Sequence, residues 1–335
     1  MLFRAIVGTI AALMLCLGSA ANADPLVIRH GWVSMTNVLS PLVFEHRDIL
    51  RHYGKSYVVV PMHFAGTSPE IQAIAADDVD VITLAFSTLA AGVQNAHLDL
   101  RVVADGFQDG APGYLSSPFL VRNDSGIRRI EDLKGKVLAS NAIGGALDVA
   151  LRALLRQHGL EDKRDYTLVE AAFPNMNAML LEKKVDLIAD VPPFIFAPQI
   201  ATNAHPLARM KDAVGRSQMI VLAMRKRFIS AHRAALTDFF EDMLRGERWL
   251  LDPANRAAAR ENVARATKLP VARLKYLYTS ADYYHAPDGR PDIAAMQRDM
   301  ATEVKFGFLK TALDVRKYVD LSLIDAAARR ARKSP

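Results

Sequence analysis

One cysteine, Cys16, occurs in the 335 residues. It lies in an apolar N-terminal stretch, so the chain beyond Ala23 has no disulfide framework, no thiolate nucleophile and no thiolate metal site. The motifs of the common enzyme classes are missing as well. There is no Gly-x-Ser-x-Gly elbow, no Walker lysine loop, no His-Glu-x-x-His and no Gly-x-Gly-x-x-Gly. The nine histidines are scattered, and none stands four residues from another, so no metal site and no cofactor is expected. No apolar run beyond residue 23 approaches the ~20 residues needed to cross a bilayer. Neither a repeat nor a low-complexity linker breaks the chain. The net charge is +6, with one dense basic run, Arg329-Arg330-Ala331-Arg332-Lys333, which reads as the solvated end of a helix. A nucleic-acid partner is not expected.

The first 23 residues have the pattern of an export signal. Arg4 supplies the positive start, Ala5 to Leu17 the apolar centre, and Ala21-Asn22-Ala23 the small-x-small site that a signal peptidase cuts, leaving Asp24 first. Leu15 directly before Cys16 is too large for a lipoprotein signal. A periplasmic location for the mature chain is the expectation.

Strands and helices then alternate. Leu26 to His30, Tyr57 to Met62, Val79 to Leu84 and Leu100 to Ala104 read as strands rich in β-branched residues. Helices are expected near Ser40-Pro41, after Ser68 (as N-cap, with Pro69 and Glu70 in the first turn) and from Phe86. Tyr114 to Val121 reads as an extended connection. A second unit follows: a turn of helix at Ile130 to Lys136, strands at Val137 to Ser140, Tyr166 to Val169 and Val185 to Asp190, and a glycine loop at Asn141 to Gly145. The helix after that loop places Leu147, Ala150, Leu151, Leu154 and Leu155 on one face, with Asp148, Arg152 and Arg156 opposite, and Gly159 closes it. Gln218 to Ala223 is one more extended run, and helices fill the rest. Alternation with short loops implies an α/β fold with mostly parallel sheets. The two extended runs flank a complete α/β unit, which suggests a two-lobed chain: a signal at 1–23, one lobe from 24–113 with 222–335, the other from 114–221.

Loops at the carboxyl ends of the strands carry small polar residues just ahead of helices: Gly66-Thr67-Ser68, Ser87-Thr88, and Ser140-Asn141 with Gly144-Gly145. Ligands of open α/β sheets sit outside these strand ends, and free N–H groups at helix N-termini suit an anion. The alternative is that Ser68, Ser87 and Asn141 are merely helix caps. Trp32, Phe64, Phe86, Phe194 and Phe196 are candidates for the apolar lining.

The order and spacing of several pieces resemble the periplasmic substrate-binding proteins of ABC importers, in the group of sulfonate-, taurine-, nitrate- and thiamine-precursor-binding (NMT1/THI5-like) proteins. The pieces are Val27-Ile28-Arg29-His30-Gly31-Trp32, Glu70 to Ser87 with Val79-Asp80-Val81, Ile130 to Val137 with its Asp-Leu-Lys-Gly-Lys run, Gly144-Gly145, Lys184-Val185-Asp186 with Pro192, and Phe306 to Asp320. The resemblance covers roughly 24–325. It implies a type II periplasmic-binding fold of two α/β lobes that closes on a ligand by hinge motion, a small organic anion as ligand, delivery to an ABC permease with a cytoplasmic ATPase, no catalysis and a monomer. It places the ligand at Trp32 and Ser34, at Gly66, Thr67 and Ser68, and at Phe86, Ser87 and Thr88. It continues at Ser117, at Asn141, Gly144 and Gly145, at Asn175, and at Asp190 and Pro192. No arginine stands in these loops as an anion clamp, although Arg29 and Arg122 lie nearby in sequence, and Asp190 would repel an anion if ionised. Sulfonates, nitrate and aromatic carboxylates such as phthalate all fit. A periplasmic sensor feeding a receptor or kinase, or a thiamine-precursor-related enzyme on the same scaffold, are the other readings.

Overall fold

A computed structural model describes residues 24–34 and 36–333, with side chains to Ala331; the signal at 1–23 lies outside the described residues. Element order is β1 (Leu26–Trp32), α1 (Leu39–Val43), β2 (Tyr57–His63), α2 (Thr67–Ala75), β3 (Val81–Ala85), α3 (Phe86–Ala90), β4 (Leu100–Asp109) and β5 (Pro118–Arg122). There follow β6 (Val137–Ser140), α4 (Ala146–Gln157), β7 (Thr167–Glu170), α5 (Phe173–Leu181), β8 (Leu187–Ala189), α6 (Pro198–Asn203), β9 (Ala204–Arg209) and α7 (Met210–Val214). The last part holds β10 (Ser217–Arg225), α8 (Lys226–Ala231), α9 (Arg233–Leu251), α10 (Arg256–Thr267), α11 (Ile293–Lys305) and α12 (Ser322–Lys333).

The strands form two five-stranded sheets of matching design, β2-β1-β3-β10-β4 and β7-β6-β8-β5-β9. In each, three parallel strands are followed by one antiparallel strand that arrives from the other sheet: β10 against β3 and β4, and β5 against β8 and β9. Each sheet is therefore mixed, parallel only over its first three strands. β10 belongs to the first sheet over its whole length, so the chain re-enters that sheet at Ser217. The central strands are mostly apolar because both faces are covered; every residue of β3, Thr83 included, is buried. β9 carries no sequence signal because it is an edge strand interrupted by Pro206, a residue an edge tolerates.

Three local expectations shift. Gly66, not Ser68, is the N-cap of α2, which frees the Ser68 hydroxyl for another role; Pro69 still falls in the first turn, where its missing N–H costs nothing. Asp148 does not face solvent: it is buried in α4, where it accepts from the Gly144 N–H at 2.7 Å and from Arg152 Nε at 2.7 Å. The strand read at Tyr166 to Val169 runs from Thr167 to Glu170, and Phe173 and Pro174 open α5. Gly159 does sit at positive φ just past α4.

The C-terminal helices brace the first sheet. α9 is long and packs on α12 and α1. Its buried Asp242 accepts from the N–H groups of Arg51, His52 and Tyr53 and from the Tyr57 hydroxyl at 2.8–3.2 Å, which ties the turn before β2 to the helix. α12 buries Leu323, Ile324 and Ala327, and Arg330 of the basic run pairs with Asp238 at 2.6 Å. Among the described residues no helix is long and apolar enough to cross a membrane.

Candidate functional site

The carboxyl ends of β1, β3 and β4 face those of β6 and β8 across a cleft. At its base lies a small cavity of about 50 Å³. The first sheet and its loops supply Val33, Ser34, Asn37, Val38, Thr67, Thr83, Ala85, Phe107, Met219 and Ile220; the second supplies Asn141, Gly145, Ala146, Leu147, Phe173 and Val191. None of these side chains is ionisable. The polar groups are neutral donors and acceptors, and three helices begin here: α2 at Thr67, α4 at Ala146 and α5 at Phe173. First-turn N–H groups have no acceptor within their own helix, so the cavity offers partial positive charge without a countercharge. On a scale where one water takes roughly 10–15 Å³, it admits a group of only a few heavy atoms.

Outward, the cavity shares Val33, Ser34 and Phe173 with an open groove of about 710 Å³. Trp32, Thr36, His63, Phe194, Asn177 and Arg273 are among its walls. The rings of Trp32 and His63 lie 4.5 Å apart and those of Phe173 and Phe194 stack at 5.3 Å.

Several residues expected at the ligand instead hold the two lobes together. Ser68 Oγ donates to the Ile143 carbonyl at 3.1 Å, Ser87 Oγ to the Gly144 carbonyl at 2.9 Å, and Asn141 Nδ2 to the Ala65 carbonyl at 3.3 Å. Gly66 is at the tightest approach: a Cβ there would stand 2.4 Å from Cβ of Ala142. The loops at 65–68 and 141–144 therefore meet with Gly66 against the methyl of Ala142, which leaves no room for a side chain at position 66.

The remaining expected residues divide plainly. Ser34, Thr67, Asn141 and Gly145 line the inner cavity, and Trp32 lines the groove. Phe86 is core, and Thr88 spends its hydroxyl on the Ala85 carbonyl at 3.0 Å. Ser117 lies in the crossing between sheets, hydrogen-bonded to Asp109 at 2.6 Å and to the Tyr283 hydroxyl at 2.7 Å. Gly144 turns the loop at positive φ and supplies the carbonyl that Ser87 meets. Asn175 is exposed on α5, and Asn177 faces the groove in its place. Pro192 is buried behind Pro193, which reaches the groove.

Asp190 is fully buried behind Val191. Its Oδ1 accepts its neighbour's N–H at 2.8 Å and its Oδ2 has no partner. Burial pushes this carboxyl well above its ordinary range, which favours its neutral form and weakens any repulsion of an anion. Arg29 is spent on Asp80, with contacts at 2.9 and 2.7 Å, and Arg122 on Asp124 and on the carbonyls of Leu180 and Val185; neither reaches the cleft. Phe107, Met219, Ile220, Thr83 and Arg273 carried no local signal. The first four sit inside strands whose depth depends on pairing between distant segments, and Arg273 comes from a turn of helix at Val271–Leu274, far from any strand-end loop.

Comparison with known proteins agrees with this geometry. The alkanesulfonate-binding protein SsuA of Xanthomonas axonopodis pv. citri, solved with MOPS bound, is 20% identical and matches with a TM-score of 0.69 over 89% of this chain and 99% of its own. The periplasmic nitrate-binding protein NrtA of Synechocystis PCC 6803 is 12% identical, with a TM-score of 0.71 over 92% and 90%. The desulfurization enzyme DSZB is 13% identical, with a TM-score of 0.64 over 91% and 99%. The fold is thus the two-lobed periplasmic-binding type. No curated protein sequence matches the chain. The family model described as NMT1-like matches residues 21–264, and the chain belongs to the NMT1-like family.

Proposed function

We propose that the protein is a solute-binding component of an ABC-type importer, capturing one small organic anion between two lobes and handing it to a membrane permease driven by a cytoplasmic ATPase. The observation that carries this reading is the inner cavity: walled by both sheets, free of ionisable side chains, and faced by hydroxyls, amides and the first turns of three helices. Such a site holds an anion by dipoles, at little cost in buried countercharge. The sulfonate- and nitrate-binding relatives are in keeping with an anionic ligand. Of the cavity hydroxyls only Thr83 meets a carboxyl, donating to the buried Glu70 at 2.9 Å, and no histidine lines the cavity to activate a nucleophile, which favours binding over turnover.

The lobes are proposed as the two sheets with their helices, hinged at the two crossings between β4 and β5 and between α7 and β10. Export to the periplasm with Asp24 as first residue belongs to the same reading, and N-terminal sequencing of the exported protein checks it. A thermal-shift screen against alkanesulfonates, nitrate, and aliphatic and aromatic carboxylates tests the function. A ligand at 100 times its Kd adds roughly 2.7 kcal/mol, a rise of several degrees for a chain of this size. A flat response across the panel would overturn the reading.

A further inference from the structure

The outer groove holds a charge that capture of a small anion in the inner cavity does not use. Arg273 carries the sole guanidinium lining the groove, and no carboxylate lines it. Among the described residues its side chain has no hydrogen bond or ion pair, and its Nε is sealed from water without a partner. It shares the groove with two ring pairs, Trp32 with His63 and Phe173 with Phe194, and with an unpartnered donor, Trp32 Nε1. A half-buried guanidinium that lines the same groove as aromatic rings, with its Nε sealed and left without an acceptor, is set to receive one from outside. The groove continues into the inner cavity past Val33, Ser34 and Phe173, so one molecule can occupy both.

Resting on the proposed function, we infer that Arg273 pairs with a second acidic group of the solute. The preferred ligands are then aromatic compounds with two acidic groups: one at the helix N-termini of the inner cavity, the ring between the groove aromatics, the other on the guanidinium. A planar fork-to-carboxylate pair suits Arg and not Lys.

Calorimetric titration of the purified protein and of Arg273→Gln and Arg273→Lys, with benzoate and the three benzenedicarboxylates, tests this. The native protein is expected to bind one dicarboxylate about tenfold or more tighter than benzoate. In R273Q that ratio collapses toward one, and R273K keeps part of it. Melting curves of both variants verify the fold, which the Arg273 side chain does not support through any hydrogen bond or ion pair. The inference is overturned if benzoate and every dicarboxylate bind the native protein equally, or if R273Q weakens both kinds by the same factor. It is overturned too if neither kind binds while a sulfonate or nitrate does, an outcome that leaves the proposed function standing. If no anion of any class binds, the proposed function itself fails.

Discussion

Ser87, at the end of the first sheet, donates its hydroxyl proton to the carbonyl oxygen of Gly144 in the second at 2.9 Å. The bond joins the two halves beside the inner cavity, so the proposed opening of the lobes would break it. Ser87→Ala is expected to remove a net 0.5–1.5 kcal/mol or so from the closed state, lowering solute affinity about two- to tenfold, chiefly through faster release. Ser68→Ala, at an exposed position, has a smaller effect. Stopped-flow release rates check both; unchanged rates in S87A would remove the latch from the account.

Gly66 and Ala142 set how far the cleft shuts. Gly66 has an extended backbone that any residue adopts, so a side chain there is opposed by Ala142 and Asn141 of the facing loop. Gly66→Val is expected to leave the melting temperature of the solute-free protein unchanged and to cut affinity about tenfold or more, since overpacking costs roughly 1–3 kcal/mol. Small-angle scattering would show the variant failing to contract with solute. Contraction and affinity like those of the native protein would contradict the closure geometry.

Asp190→Asn replaces a carboxyl whose charged form burial disfavours. Anion affinity at neutral pH is expected to stay within about twofold of native. A gain of about tenfold would mean that Asp190 is ionised and repels the ligand.

How much of this was legible beforehand differs by scale. Alternating β-branched runs and helix starts are local, so the two-lobe α/β design could be read, and the loops at 66–68 and 141–145 do meet at the cleft. What a hydroxyl does once there is not local. Ser68 and Ser87 look alike as helix-start residues, yet both turn to the opposite lobe, because the carbonyls of Ile143 and Gly144 come from a loop more than fifty residues away. Arg273 was invisible for the same reason: its position depends on how the C-terminal segment returns over the cleft.

Stability should fall in mildly alkaline solution. Burial pushes Asp105, Asp282 and Asp299 up to about 7 and Glu303 up to about 8. The folded protein then keeps protons that the unfolded chain releases near pH 4. The stability this confers is full below that pH and is lost as pH rises through about 7–8. His30 and His285, pushed down to about 4 by burial, act in the opposite sense, but only between about pH 4 and 6.5. Above about pH 6.5 the carboxyls act alone, so the melting temperature is expected to drop from there to about pH 8.5, and Glu303→Gln should flatten the drop. A melting temperature that rises over this range would contradict the buried-proton assignment.

The central claim is reversible capture of one anion between the lobes. Calorimetric titration with the strongest hit of the anion screen, followed by recovery of the solute, tests it most directly. The expected result is saturation at one solute per chain, the solute recovered unchanged. No saturable binding, or a chemically altered product, would contradict it.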